Sequence, residues 1–202
     1  MLHFKEFKLQ ETQVIKPEWV TSAVYKIINS REITESKGLL KLHRLDDILK
    51  KEKDSDYYYP RDKYRYIIDL MQKFELCYEI DSETILIPDL LEVREPAFDF
   101  DYTTALKFLI QYDFLPRSVM PRFMVKMHRD INHEWHWRTG VVLENPSFRS
   151  TAEVIADNEE KRIHIYVQGE QKRDYFAALL HSFRSINDSF EKLEAVEKVP
   201  LP

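Results

Sequence analysis

Apolar residues near the start of the chain recur at helical spacing. Trp19, Val20, Ala23, Val24, Ile27 and Ile28 share one face, which predicts a helix opened by Pro17. Proline fits the first helical turn because an N–H there would have no intrahelical partner, and Glu18 suits the positive end of the helix dipole. Asn29-Ser30 marks the stop. Leu42, Leu45, Ile48 and Leu49 predict a second helix over 42–51. Tyr64, Ile67, Ile68, Met71 and Phe74 predict a third, started by Pro60. Two short apolar runs follow, 76–80 and 84–87. Asp81-Ser82-Glu83 reads as the turn between them, and Pro88 ends the second. Residues 1–15 alternate only weakly and read as a lead-in from an upstream region.

The stretch 92–101 carries Pro96 with Glu92, Glu95, Asp99 and Asp101 and reads as a linker or boundary. Beyond it the period changes. Leu106, Phe108, Ile110 and Tyr112 alternate as in a strand, and Val119, Phe123, Met127 and Ile131 sit four apart, predicting a helix over about 117–130. Strands are expected over 135–144, 150–156 and 162–167, the last two joined by the turn Asp157-Asn158-Glu159-Glu160. Tyr175, Phe176, Leu179, Leu180, Phe183 and Ile186 line a helix over 171–190, and a last strand covers 193–199 before Pro200. The expected class is α+β. A helical, winged-helix-like N-terminal lobe spans 16–97, since three helices and a hairpin come in that order. An antiparallel β-sheet lobe with flanking helices spans 98–202.

Composition removes several functions. Of 202 residues, 44% are hydrophobic and 32% charged, which is a globular balance at a length that needs no staples. Glycine occurs three times, as Gly38, Gly140 and Gly169, where about 14 are usual. A Walker A loop needs two glycines within six residues and a dinucleotide fingerprint three, so this sequence holds neither phosphate cradle. The net charge of −5 argues against residence on nucleic acid or an anionic membrane. No apolar run approaches the roughly 20 residues of a membrane span, and the N-terminus has no signal-peptide pattern. The single cysteine, Cys77, leaves no disulfide framework and points to a reducing compartment. The expectation is a cytoplasmic protein.

Candidate chemistry is thin. His128, His133 and His136 lie close together with Glu134, but His128 and His133 are five apart across a helix end and the run His-Glu-Trp-His is not HExxH, so the spacing suits a metal poorly. Cys77 stands between Leu76 and Tyr78 with no cation or helix N-terminus beside it to favour a thiolate. Asp99, Asp101 and Asp113 read as solvated acids. Arg61, Lys63, Arg65 and Lys73 on the third helix offer an alternative reading, a winged-helix DNA-binding regulator with a C-terminal sensor or dimerisation lobe. Against it stand Asp46 and Asp47 before that helix and an acidic turn at 81–83, which would repel phosphate. The segment 106–140, where large aromatics alternate with arginine, has the composition of an interface centre as well as of a core.

Several motifs resemble one family. Pro17-Glu18-Trp19-Val20, Ala23-Val24-Tyr25, Leu70-Met71, Phe74-Glu75-Leu76-Cys77 and Ile87-Pro88-Asp89-Leu90-Leu91 are similar to the first half of the COR domain of Roco proteins. Phe114-Leu115-Pro116, Pro121-Arg122-Phe123-Met124-Val125 and Trp137-Arg138-Thr139-Gly140-Val141-Val142-Leu143 resemble its second half, and the wording looks closest to prokaryotic members. The resemblance covers about residues 16 to 202. It implies a non-catalytic module without a cofactor of its own, GTP or GDP being bound by an upstream Roc G domain. It also implies a winged-helix-like lobe that packs on Roc and a sheet lobe that supplies a homodimer contact, with no nucleic acid and no membrane span. On position and residue type, Tyr112, Phe114, Leu115 and Arg122 are assigned to the Roc side, and Trp137, Arg138, Tyr175 and Phe183 to self-association.

Overall fold

A computed structural model describes residues 16–51 and 57–199. The lead-in expected over 1–15 and the stop at Pro200 lie outside the described residues. The chain divides into two compact units that part between Leu90 and Leu91. The division falls ahead of the boundary drawn at 97–98 from composition, because the acidic stretch belongs with the second unit.

The first unit opens with α1 (Pro17–Ile28) and a short α2 (Arg31–Glu35). Strand β1 (Leu39–Lys41) leads through a 3-10 turn into α3 (Leu45–Ile48). Then come α4 (Tyr64–Lys73), β2 (Tyr78–Glu79) and β3 (Thr84–Leu86). The strands form one antiparallel sheet in the order β1-β3-β2, with Leu40 opposite Ile85 and Tyr78 opposite Leu86. The helix expected over 42–51 is shorter than its apolar stripe suggests. Its first turn is 3-10, and the strand just before it ties that end to the sheet.

Ala23, Ile27, Ile33, Leu40, Leu45, Ile67, Ile68, Met71 and Ile85 fill the core of this unit. Trp19 closes its edge, its ring 5.0 Å from that of Tyr59 and its Nε1–H donating to the Tyr58 carbonyl at 3.0 Å. Neither α2 nor β1 shows in the periodicity; both are too short for one. Gly38 makes the turn between them. Its φ is +85°, and a Cβ there would stand 2.5 Å from the Ile87 carbonyl oxygen, so glycine alone fits without strain.

The second unit is a six-stranded antiparallel sheet with two helices on one face. Its strands are β4 (Leu106–Tyr112), β5 (Ile131–Trp137), β6 (Gly140–Asn145), β7 (Ser150–Asp157), β8 (Arg162–Gly169) and β9 (Ala195–Lys198). They run in the order β5-β6-β7-β8-β4-β9. The helices are α5 (Val119–Met127) and α6 (Lys172–Asn187). The strand expected over 135–144 is a hairpin instead: β5 turns at Arg138-Thr139 and returns as β6, with Trp137 opposite Gly140.

Alternation on the strands puts Phe108, Ile165 and Val154 in register on the helix face, all buried. There Phe123 of α5 stacks on Phe183 of α6 at 4.1 Å, and Phe108 meets Phe176 at 4.6 Å. The opposite face carries Val142, Glu153 and Tyr166 side by side. Residues 91–102 form an irregular strap over this face. Phe98 lies 6.0 Å from Trp135 and 6.1 Å from Trp137, and Tyr102 meets Tyr166 edge-on at 5.1 Å.

Candidate partner-contact surfaces

A protein-contact site needs apolar or arginine surface that the chain itself leaves uncovered. Of the four residues assigned to one contact, Phe114 meets that need. It follows β4, where Tyr112 ends the strand, and its side chain is 68% exposed. Its neighbours turn inward. Tyr112 is buried, its hydroxyl donating to Asn187 Oδ1 at 3.2 Å, and burial pushes that hydroxyl's pKa up to about 12. Leu115 is also buried. Arg122, on α5, donates to Ser189 Oγ at 2.7 Å and lies 5.4 Å above the Phe190 ring. Tyr112 and Arg122 therefore both tie down the chain at the C-terminal end of α6. Beside it runs an open groove of about 770 Å³, lined by charged side chains with Phe190 and Leu193.

The residues assigned to self-association have a different fate. Tyr175 is fully buried, donating to Asp130 Oδ2 at 2.9 Å and stacking on Phe148. Phe183 is fully buried against Phe123. Trp137 is buried with its ring over Gly140. These three side chains are committed to the core of their own unit, and the face that α6 turns outward bears Arg173, Ala177, His181 and Arg184. Arg138 is exposed at the β5–β6 turn, and it holds the strap: its N–H donates to the Glu92 carbonyl at 2.7 Å and its Nε to the Leu91 carbonyl at 3.1 Å. Periodicity cannot separate these two uses of an aromatic, because core and interface centre draw on the same residue types.

Among the described residues the catalytic and metal candidates do not assemble. His128 Nδ1 lies 2.8 Å from the Val125 carbonyl, inside its own helix end. The side chain of His133 lies outside the described residues. Among the described residues no three His, Cys, Asp or Glu side chains converge as a metal site. Cys77 is buried, and burial, with the Glu79 carboxylate second, pushes its thiol up to about 12, so it is not poised as a thiolate. Asp101 is used locally, accepting from the Thr103 hydroxyl, from the Thr103 N–H at 2.9 Å and from Thr104 Oγ1 at 2.9 Å; these bonds, that of the Thr103 hydroxyl first, hold its carboxyl below the usual range.

Two of the candidate recognition cations, Arg61 in the 3-10 turn before α4 and Arg65 on α4, are held in ion pairs. Arg61 meets Asp46 at 2.7 Å, and Arg65 meets Asp69 at 2.8 Å and Glu79 at 2.7 Å. A recognition helix must present its cations to phosphate. These face carboxylates, so the DNA-binding reading is not supported. Among the described residues no helix is long and apolar enough to cross a membrane.

One buried polar group escaped the sequence reading. Glu153 sits at an outward position of β7, where alternation promises solvent, yet the strap leaves it no exposure. Nothing in the sequence around it signals a cover supplied from fifty residues upstream.

Taken together, the fold is a two-lobed α+β module whose assigned residues form surfaces and internal ties. Residues 1–91 match the family model "C-terminal of Roc, COR-A domain", and residues 103–202 match "C-terminal of Roc, COR-B domain". The chain belongs to the COR family of Roco proteins and is of the prokaryotic type.

Among its relatives is a Roc-COR-CHAT protease of Runella zeae, 29% identical over 169 residues, covering 81% of this chain and 17% of the relative. Another is the probable serine/threonine-protein kinase pats1 of Dictyostelium discoideum, 24% identical over 181 residues, covering 82% of this chain and 6% of the relative. A solved structure, Methanosarcina barkeri Roco2 RocCORdC bound to GDP, is 56% identical over 44% of this chain and 28% of its own, with a TM-score of 0.42. The chain thus spans less than a fifth of the length of these curated relatives.

Proposed function

We propose that this chain is the non-catalytic COR module of a Roco GTPase. In this reading it packs on the Roc G domain in cis and joins two copies through its second unit, so that the nucleotide state of Roc is coupled to assembly. GTP and GDP belong to Roc. The observation that carries the reading is the match of both COR halves, in order, over nearly the whole chain. The order of helices and hairpin in the first unit, with β1 paired on β3, supports a winged-helix-like lobe used for protein contact. The exposed ring of Phe114 supports a contact there, since exposed aromatics anchor interfaces.

The test is calorimetric titration of this chain with the Roc domain. Binding is expected, and Phe114→Ala is expected to weaken it at least about tenfold, roughly 1.4 kcal/mol, without lowering the melting temperature. Absence of heat with Roc, together with stoichiometric GTP retained by the chain itself, overturns the reading.

A further inference from the structure

Among the described residues Glu153, on the strap-covered face, is the one buried charged side chain. It has no exposed surface, and neither carboxyl oxygen has a hydrogen-bond partner among the described residues. Only the Tyr102 hydroxyl approaches it, and its pull toward the ionised form is smaller than the opposing effect of burial. The groups facing it bring no compensating positive charge. From the strap come Tyr102 and the Glu95 carboxylate, which repels it. From β8 comes Tyr166, with His164 two residues along, and from β6 the apolar Val142, with Glu144 further on. On β4, Lys107 pairs with Tyr166 one strand further off and is exposed. On β5, Trp135 and Trp137 lie against Phe98, with Glu134 and His136 between and beside them. A carboxylate without hydrogen bonds or a cation is costly to bury, while the neutral acid costs far less.

The cover itself is lightly held. Residues 95–101 have no helix or strand pairing. The strap rests on three aromatic side chains, Phe98, Phe100 and Tyr102, and on the two carbonyls that Arg138 holds at its start.

We propose that the strap is a proton-sensitive latch: it closes over Glu153 when that carboxyl is protonated and opens when it ionises. The direction follows from linkage. Burial first, then the Glu95 charge, raises the Glu153 pKa in the closed form. A group whose pKa is raised stabilises the closed form fully at low pH, and that stabilisation is lost as pH climbs from the ordinary carboxyl range through the raised value. Within that window the open-to-closed ratio rises about tenfold per pH unit, and above it the ratio levels off. The strap begins where the first unit ends.

The experiment uses the whole chain with its three tryptophans fluorinated and read by fluorine NMR from pH 5 to 8. Trp135 and Trp137 touch the strap through Phe98, while Trp19 lies in the other unit and serves as the internal control. Phe98→Ala supplies the open reference. As pH rises, the Trp135 and Trp137 signals are expected to move toward that reference, with Trp19 unmoved. Glu153→Gln, which keeps the size and removes the charge, is expected to stay at the closed position throughout. Glu95→Gln, an exposed change that removes the repelling charge, is expected to leave the strap more closed at pH 8 than the native chain. Static Trp135 and Trp137 signals in the native chain, or the same pH course in Glu153→Gln from His136 titrating beside them, overturn the proposal.

Discussion

Gly140 shows how tightly single positions are set in the second unit. A Cβ built there would stand 2.0 Å from the Trp137 ring, which lies across the bare backbone. Trp137 is itself buried and pressed by Phe98, so it has little room to yield. Gly140→Ala is therefore expected to destabilise by about 1–3 kcal/mol, as overpacking of a filled core does. At roughly 2–4 °C per kcal/mol for a chain of this size, thermal unfolding followed by tryptophan fluorescence will read the loss. Residues in the Tyr112–Arg122 stretch divide in the same local way: side chains one or two apart are assigned to opposite environments, Phe114 to solvent and Leu115 to the core. Contact chemistry here belongs to single side chains rather than to the motif as a block.

At the scale of elements, α5 and α6 hold together chiefly through aromatics. The Phe123–Phe183 stack is parallel within 9°, and both rings are fully buried. Phe183→Ala removes one ring and leaves a cavity between the helices, an expected cost of about 3–5 kcal/mol. Denaturant unfolding monitored by circular dichroism will check it, the midpoint falling while the slope stays unchanged. The long periodic helices were the most legible elements, because each repeats its stripe over several turns. Strand β1 and helix α2 were not, since three to five residues carry no period, whereas β2 falls within the apolar run expected at 76–80. The β5–β6 hairpin looks like one strand in the sequence, because apolar residues run on through a turn built by Arg138 and Thr139 rather than by a loop-type sequence.

For the molecule as a whole, the open quantity is its association state. A standard symmetric interface buries about 1,600 Å² in total, and the large aromatics first assigned to it are used inside the second unit. Any contact between copies must then draw on outward residues such as those of α6 or the exposed Phe114. Light scattering coupled to size exclusion, from about 1 to 300 μM, is expected to show a mass rising toward twice the 24.4 kDa of the chain. A constant single-chain mass moves the dimer contact outside these residues and leaves Roc binding as the remaining role.

What the amino-acid sequence determined by itself is local or additive. The apolar period placed the main helices, alternation placed most of the second sheet, and the scarcity of glycine ruled out two nucleotide cradles. Motifs scattered in order along the chain identified the family. Tertiary structure alone decided which aromatics are core and which are surface, since Tyr175 and Phe183 differ from Phe114 only in what packs on them. It also decided that Arg61 meets Asp46 of α3 and Arg65 meets Glu79 of β2, and that a linker-like acidic stretch covers a glutamate on a distant strand. Those facts depend on pairings between residues tens of positions apart, and side-chain period carries no information about such partners.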